Sequence, residues 1–67
     1  GNDMALRVTG LDPRLTRVAR SWGSAEERAR RVALLVGEAE IQRRDSAGAW
    51  QTVETWRKVG QRVERQP

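Results

Sequence analysis

Residues 30–41, RRVALLVGEAEI, constrain this chain more than any other stretch, because one helix through them would be apolar on two sides. At about 100° per residue, Ala29, Val32, Val36 and Ala39 lie within about 40° of Ala25, while Leu34 and Ile41 fall on the opposite side. A helix that is apolar around so much of its girth is either sandwiched between other helices or offers its second face to a partner. A helix that stops at Gly37 removes the second face altogether.

The flanking residues favour a long helix. Ser24-Ala25-Glu26-Glu27 reads as a capping box, and Glu26–Arg30, Glu27–Arg31 and Glu40–Arg44 stand at the i, i+4 spacing of helical ion pairs. The Arg43-Arg44 pair suits a helix C-terminus. An earlier helix starts at Asp12-Pro13, carries Leu15, Val18, Ala19 and Trp22 on one face, and stops at Gly23. A third follows the break DSAG (45–48), where Asp45 or Ser46 can cap it, with Ala49, Val53, Trp56, Gly60 and Val63 as its stripe. Gly60 in that stripe would admit close approach of another helix. From Met4 to Thr9 the side chains alternate instead, with Met4, Leu6 and Val8 on one side, a short period of two that ends at Gly10. The three residues before Met4 read as a flexible end. The expectation is an all-α fold: a small three-helix bundle, helices about 13–22, 25–44 and 47–65, forming a single helical domain over 11–67 behind an extended N-terminal arm over 1–10.

Sixty-seven residues lie near the lower limit for a single core, and no cysteine is present to staple one. Stability then comes from helix packing or from a partner subunit. The cysteine-free composition fits an intracellular protein, and the absence of an apolar run of about 18 residues or of a leader segment predicts a cytoplasmic one. The cations are twelve Arg and one Lys, for a net charge of +4. That balance suits nucleic acid or an acidic protein surface, and it is also what a GC-rich, bacterial-like genome writes generally.

Catalysis is not expected. With no His, Cys or Tyr, the chain lacks the usual general base, the thiol nucleophile, the His-plus-Cys zinc site and the phenolic acid. No Gly-rich phosphate loop follows a strand. No cofactor, metal or small-molecule substrate is predicted. Trp22 and Trp56 sit on apolar stripes as core anchors, and Trp50 sits at a stripe edge. None lies in a basic, aromatic-interleaved array of the kind that stacks single-stranded bases.

Two binding functions remain. In the first, a regulatory helical module docks a protein partner, or a second copy of itself, through Leu34, Ile41 and Trp50, ringed by arginines. In the alternative, the protein is a DNA-binding regulator. The order of Met4–Thr9 strand, Asp12-Pro13 helix start, Gly23 turn and Ser24-capped second helix resembles the ribbon–helix–helix family over about the first 36 residues. That resemblance implies a dimer whose paired strands enter the major groove. Arg7 and Thr9, beside Ala5, would face the bases, Leu6 and Val8 the core, and the helix start at Ser24-Ala25 a phosphate. Arg14, Arg17 and Arg28 complete the candidate set. A helix-turn-helix reading would instead use the third helix, with Gln51, Thr55, Arg57, Lys58 and Arg62 as its reading face.

Overall fold

A computed structural model describes residues 5–67. Met4 and the three residues expected as a flexible end lie outside them. In chain order the elements are β1 (Leu6–Gly10), a single 3-10 turn (Pro13–Leu15), β2 (Arg17–Ala19), α1 (Trp22–Val36), β3 (Glu38–Arg44), β4 (Trp50–Val59) and β5 (Arg62–Arg65). The strands form one antiparallel sheet in the order β2-β1-β3-β4-β5. The all-α bundle is therefore overturned. Of the three expected helices only part of the second exists.

Local chemistry explains each departure. Residues 24–35 are rich in Ala, Glu, Arg and Leu, all good helix formers. The helix stops at Gly37, whose left-handed φ of 102° caps it and whose N–H donates to Ala33 O. Beyond that stop the period changes to two: Ala39 and Ile41 face the core, while Glu38, Glu40 and Gln42 face away. The two-sided helix is resolved accordingly. Leu34 is half-exposed on the back of α1, and Ile41 is a fully buried strand residue. The expected third helix is rich in Thr, Val and Trp (Thr52, Val53, Thr55, Trp56, Val59), which pack well on a pleated surface. It is instead the β4–β5 hairpin. Gly60 serves its two-residue turn with φ 64°, not a helix crossing.

Asp12 does act as a cap, accepting the Arg14 N–H at 3.0 Å, but only a 3-10 turn follows it. The first expected helix gives way to that turn and β2. The cap of α1 lies one turn earlier than Ser24: Ser21 Oγ accepts the Ser24 N–H at 3.1 Å, and Ser24 Oγ accepts the Ser21 N–H at 3.3 Å. Gly23 is thus inside the first turn of the helix and ends nothing. DSAG is a break, as expected, but a hairpin turn. Asp45 Oδ1 accepts the N–H groups of Ala47 and Ala49, both at 2.9 Å, and Gly48 takes φ 89°.

β1 pairs with β2 on one side and β3 on the other, so it is not a free arm, and both of its edges are used within the chain. A strand in that position cannot form the two-chain ribbon that the ribbon–helix–helix resemblance implies. β2 and β3, both antiparallel to β1, run in the same direction, and α1 is the crossover that joins them. The helix covers one face of the sheet. Ala25, Ala29, Val32 and Ala33 meet Leu6, Val8, Ala39, Ile41 and Trp56 there, with Trp22 packed against the edge of this core.

The helix sits close. A Cβ added to Gly10 would stand 2.9 Å from Val32 Cγ1 and 3.4 Å from Val36 Cγ2. Gly10→Ala is therefore expected to lower stability by about 1–3 kcal/mol, read as a shift of the urea midpoint. Gly23→Ala, with no atom nearer its added Cβ than 4.0 Å, should leave the midpoint unchanged or raise it.

Candidate functional site

With α1 on one side, the opposite side of the sheet carries side chains and no covering element among the described residues. Its residues alternate with the core positions, so Arg7 and Thr9 of β1, Glu40, Gln42 and Arg44 of β3, and Trp50 and Thr52 of β4 share it. A bulge in β4 opposite Ile41 and Gln42 keeps Trp50 and Thr52 on this side despite the core position of Trp56.

The centre of this face is an aromatic–cation assembly. Trp50 pairs across from Arg44, and its ring reaches over β3 to Arg7, two strands away. The Arg7 guanidinium carbon lies 4.3 Å from the ring centroid and that of Arg44 lies 5.6 Å away. Arg7 Nε donates to Gln42 Oε1 at 2.7 Å. Gln42 Nε2 in turn donates to Glu40 Oε1 and to Thr52 Oγ1, both at 3.2 Å, and the Thr52 hydroxyl donates to Glu40 Oε1 at 2.7 Å. Thr9 and Thr16 share a hydroxyl contact of 2.8 Å beside this row.

Charge is distributed unevenly along the strands. Among the described residues Arg7, Arg17, Arg20, Arg28, Arg30, Arg43, Arg44 and Lys58 have no carboxylate within ion-pair distance. Strand register brings Arg7, Arg20, Arg43 and Arg44 to one end, Arg43 on the α1 side of the sheet: Leu6 lies opposite Ala19 and Arg43, and the Arg44 N–H donates to Ala5 O. Asp45 is at the same end, but its carboxylate is consumed by the hairpin turn. Hydrogen bonds from the Ala49 N–H, the Gln51 amide and the Ala47 and Gly48 N–H groups hold it below the usual carboxylate range. Toward the other end the face is neutralised by the pairs Arg57–Glu38 at 3.7 Å and Arg62–Glu64 at 2.8 Å.

The structure divides the residues singled out from the sequence. Arg7, Thr9 and Trp50, expected to serve two different ligands, meet on the one open face. Ile41 is enclosed in the core and joins no surface with Leu34. Arg14 is exposed and paired with Asp12 at 2.9 Å. Arg17 Nη1 is spent on the carbonyls of Arg14 and Thr16. Arg28 lies half-buried on the helix flank, its Nε without a partner among the described residues. Arg44, Gln42, Glu40 and Thr52 were not singled out. For Glu40, Gln42 and Arg44 the signal is the period of two that follows Gly37, whereas Thr52 joins them through the β4 bulge. Trp50 has the basic neighbours that the linear sequence does not show.

No three His, Cys, Asp or Glu side chains gather as a metal-binding set among the described residues. No helix there is long and apolar enough to cross a membrane. Comparison with known protein families, with characterised proteins and with solved structures gives no match.

One carboxylate on the helix side is perturbed. Glu54 is only 15% exposed, accepts the Trp56 Nε1–H at 3.0 Å, and lies 3.8 Å from Arg65. Burial raises its pKa above the ordinary 4.5, Glu26 on α1 adds to the rise, and the Trp56 hydrogen bond and Arg65 oppose it. The folded state therefore holds this proton more tightly than the unfolded chain does. Its contribution favours folding as pH falls from neutrality and saturates below about 4.5. Asp12 and Asp45, both lowered, act in the opposite sense only at more acid pH. Glu54→Gln should raise the melting temperature at pH 7–8, and thermal scans at decreasing pH should show that advantage vanish near pH 4.5.

Proposed function

We propose that this protein is a non-catalytic cytoplasmic domain that binds single-stranded nucleic acid on the open face of its sheet. The observation that carries the reading is Trp50 flanked by Arg7 and Arg44 on a surface that no other element covers among the described residues. The Arg7 guanidinium lies over the Trp50 ring, and the stacked pair offers its planes to a splayed-out base. Arg20 and Arg44, with no carboxylate within ion-pair distance among the described residues, supply positive charge at the same end for a phosphate backbone, in keeping with the net charge of +4. Bases inside a duplex are already stacked and out of reach of such a ring. The geometry therefore favours single strands over the duplex DNA of the helix-turn-helix and ribbon readings.

Docking of a protein partner is the second reading, and the exposure of Leu34 (52%) and Leu35 (76%) on α1 favours it. It uses the opposite side of the molecule, so substitutions separate the two. Fluorescence anisotropy with a labelled single-stranded oligonucleotide at low salt is expected to show binding that Trp50→Ala weakens about tenfold or more. Arg44→Ala should reduce the slope of log affinity against log salt by about 0.7, and Leu34→Ser should change neither quantity. Equal affinity of wild type and Trp50→Ala, or preference for a duplex of the same sequence, would contradict the reading.

A further inference from the structure

The hydrogen bonds beneath Arg7 do more than fill space, and they indicate which base the face selects. We propose that Gln42, itself oriented by Glu40 and Thr52, sets the Arg7 guanidinium as a fixed two-pronged donor that recognises guanine. The inference rests on the single-stranded reading above.

The orientation of Gln42 follows from its neighbours. Its Nε2 is committed to the Glu40 carboxylate and the Thr52 hydroxyl, which leaves Oε1 turned toward Arg7 at 2.7 Å from Nε. A reversed amide would place two donors against Arg7 and an oxygen against a carboxylate. Glu40 has no cation within ion-pair distance among the described residues, so its charge acts through Gln42 and Thr52. Arg7 is thus restrained twice, by a short bond at Nε and by the Trp50 ring beneath the guanidinium. Its terminal N–H groups have no acceptor among the described residues.

A pre-oriented fork of two donors matches two acceptors side by side in one plane. Guanine presents this pair as O6 and N7, whereas adenine presents an amino donor beside N7, and cytosine and uracil offer no such pair on the corresponding edge. A phosphate also accepts from arginine, but a flexible cation serves that diffuse charge. Arg44, which has no hydrogen-bonding anchor among the described residues and lies 5.6 Å from the same ring, is suited to that task. The positioning network thus distinguishes Arg7 from every other unpaired arginine at this end.

The test uses the whole chain and short single-stranded oligonucleotides of uniform uridine with one central guanine, adenine, cytosine or 7-deazaguanine. The expected result is roughly tenfold tighter binding of the guanine oligonucleotide, with most of that gain lost in 7-deazaguanine, which lacks N7. Gln42→Ala, checked for an unchanged circular dichroism spectrum, should erase the preference while retaining the salt slope and the dependence on Trp50. Equal binding of all four oligonucleotides would overturn the guanine assignment and leave single-strand binding standing. A guanine preference that survives Gln42→Ala would overturn the positioning role. Absence of binding to every oligonucleotide would overturn the inference together with the reading beneath it. The comparison with 7-deazaguanine uses only the wild-type protein, so it decides the base assignment even if Gln42→Ala does not fold.

Discussion

Close seating of one helix on a small sheet is the contact on which the rest of this structure depends. Ala25, Ala29 and Ala33 face the sheet, and Gly10 leaves the space that Val32 and Val36 occupy. The largest fully buried side chains are only Ile41 and Val8, so the core has little bulk and gains its contacts through proximity. A chain of this size cannot bury apolar surface on both sides of five strands. Its core is built on the side beneath α1, and the other side carries mostly polar side chains, with Val18, Trp50 and Val59 among them.

That asymmetry turns the remaining face into a surface built from strand register. A helix of 15 residues is about 22 Å long, whereas the molecule extends 40 Å along its longest axis. The face away from the helix collects alternate residues of β1, β3 and β4. Its rows are cross-strand neighbours, which is why Arg7, Gln42 and Thr52 touch although they are 35 and 10 positions apart in sequence. Carboxylates balance the cations toward the β4–β5 turn. They do not at the end where Trp50 sits, because Asp45 there is committed to its own turn. The surface is therefore polarised, with its aromatic side chain at the cationic end.

How much of this was legible in the sequence depends on the element. The period of two at Leu6 and Val8, the Asp12 cap, the break at DSAG and the core role of Trp56 could all be read directly. So could the fact that Arg7 and Thr9 point away from the core. The helical spacing after Gly37 was the error, and it has a physical origin. Ala39 lies on the helical face of Val32 and Val36 by spacing and is also one of the alternating core positions of β3, so short apolar runs fit both periods. Three pairs, Glu26–Arg30, Glu27–Arg31 and Glu40–Arg44, stand at i, i+4. The structure places two on α1 and the third on β3, where the spacing has no helical meaning. Left-handed glycines at 37 and 60, together with the β-branched content of 52–59, were the opposing signals. The Arg7–Trp50 contact could not be read at all, since it exists only once β3 lies between β1 and β4.

Chemical-shift mapping of the amide and indole N–H resonances during titration with a single-stranded oligonucleotide tests the central claim most directly. The account predicts perturbations confined to β1 around Arg7, to β3 from Gln42 to Arg44 and to β4 from Trp50 to Thr52, including the Trp50 indole, with the outer surface of α1 unmoved. Perturbations centred on Leu34 and Leu35, or none at saturating oligonucleotide, would contradict it.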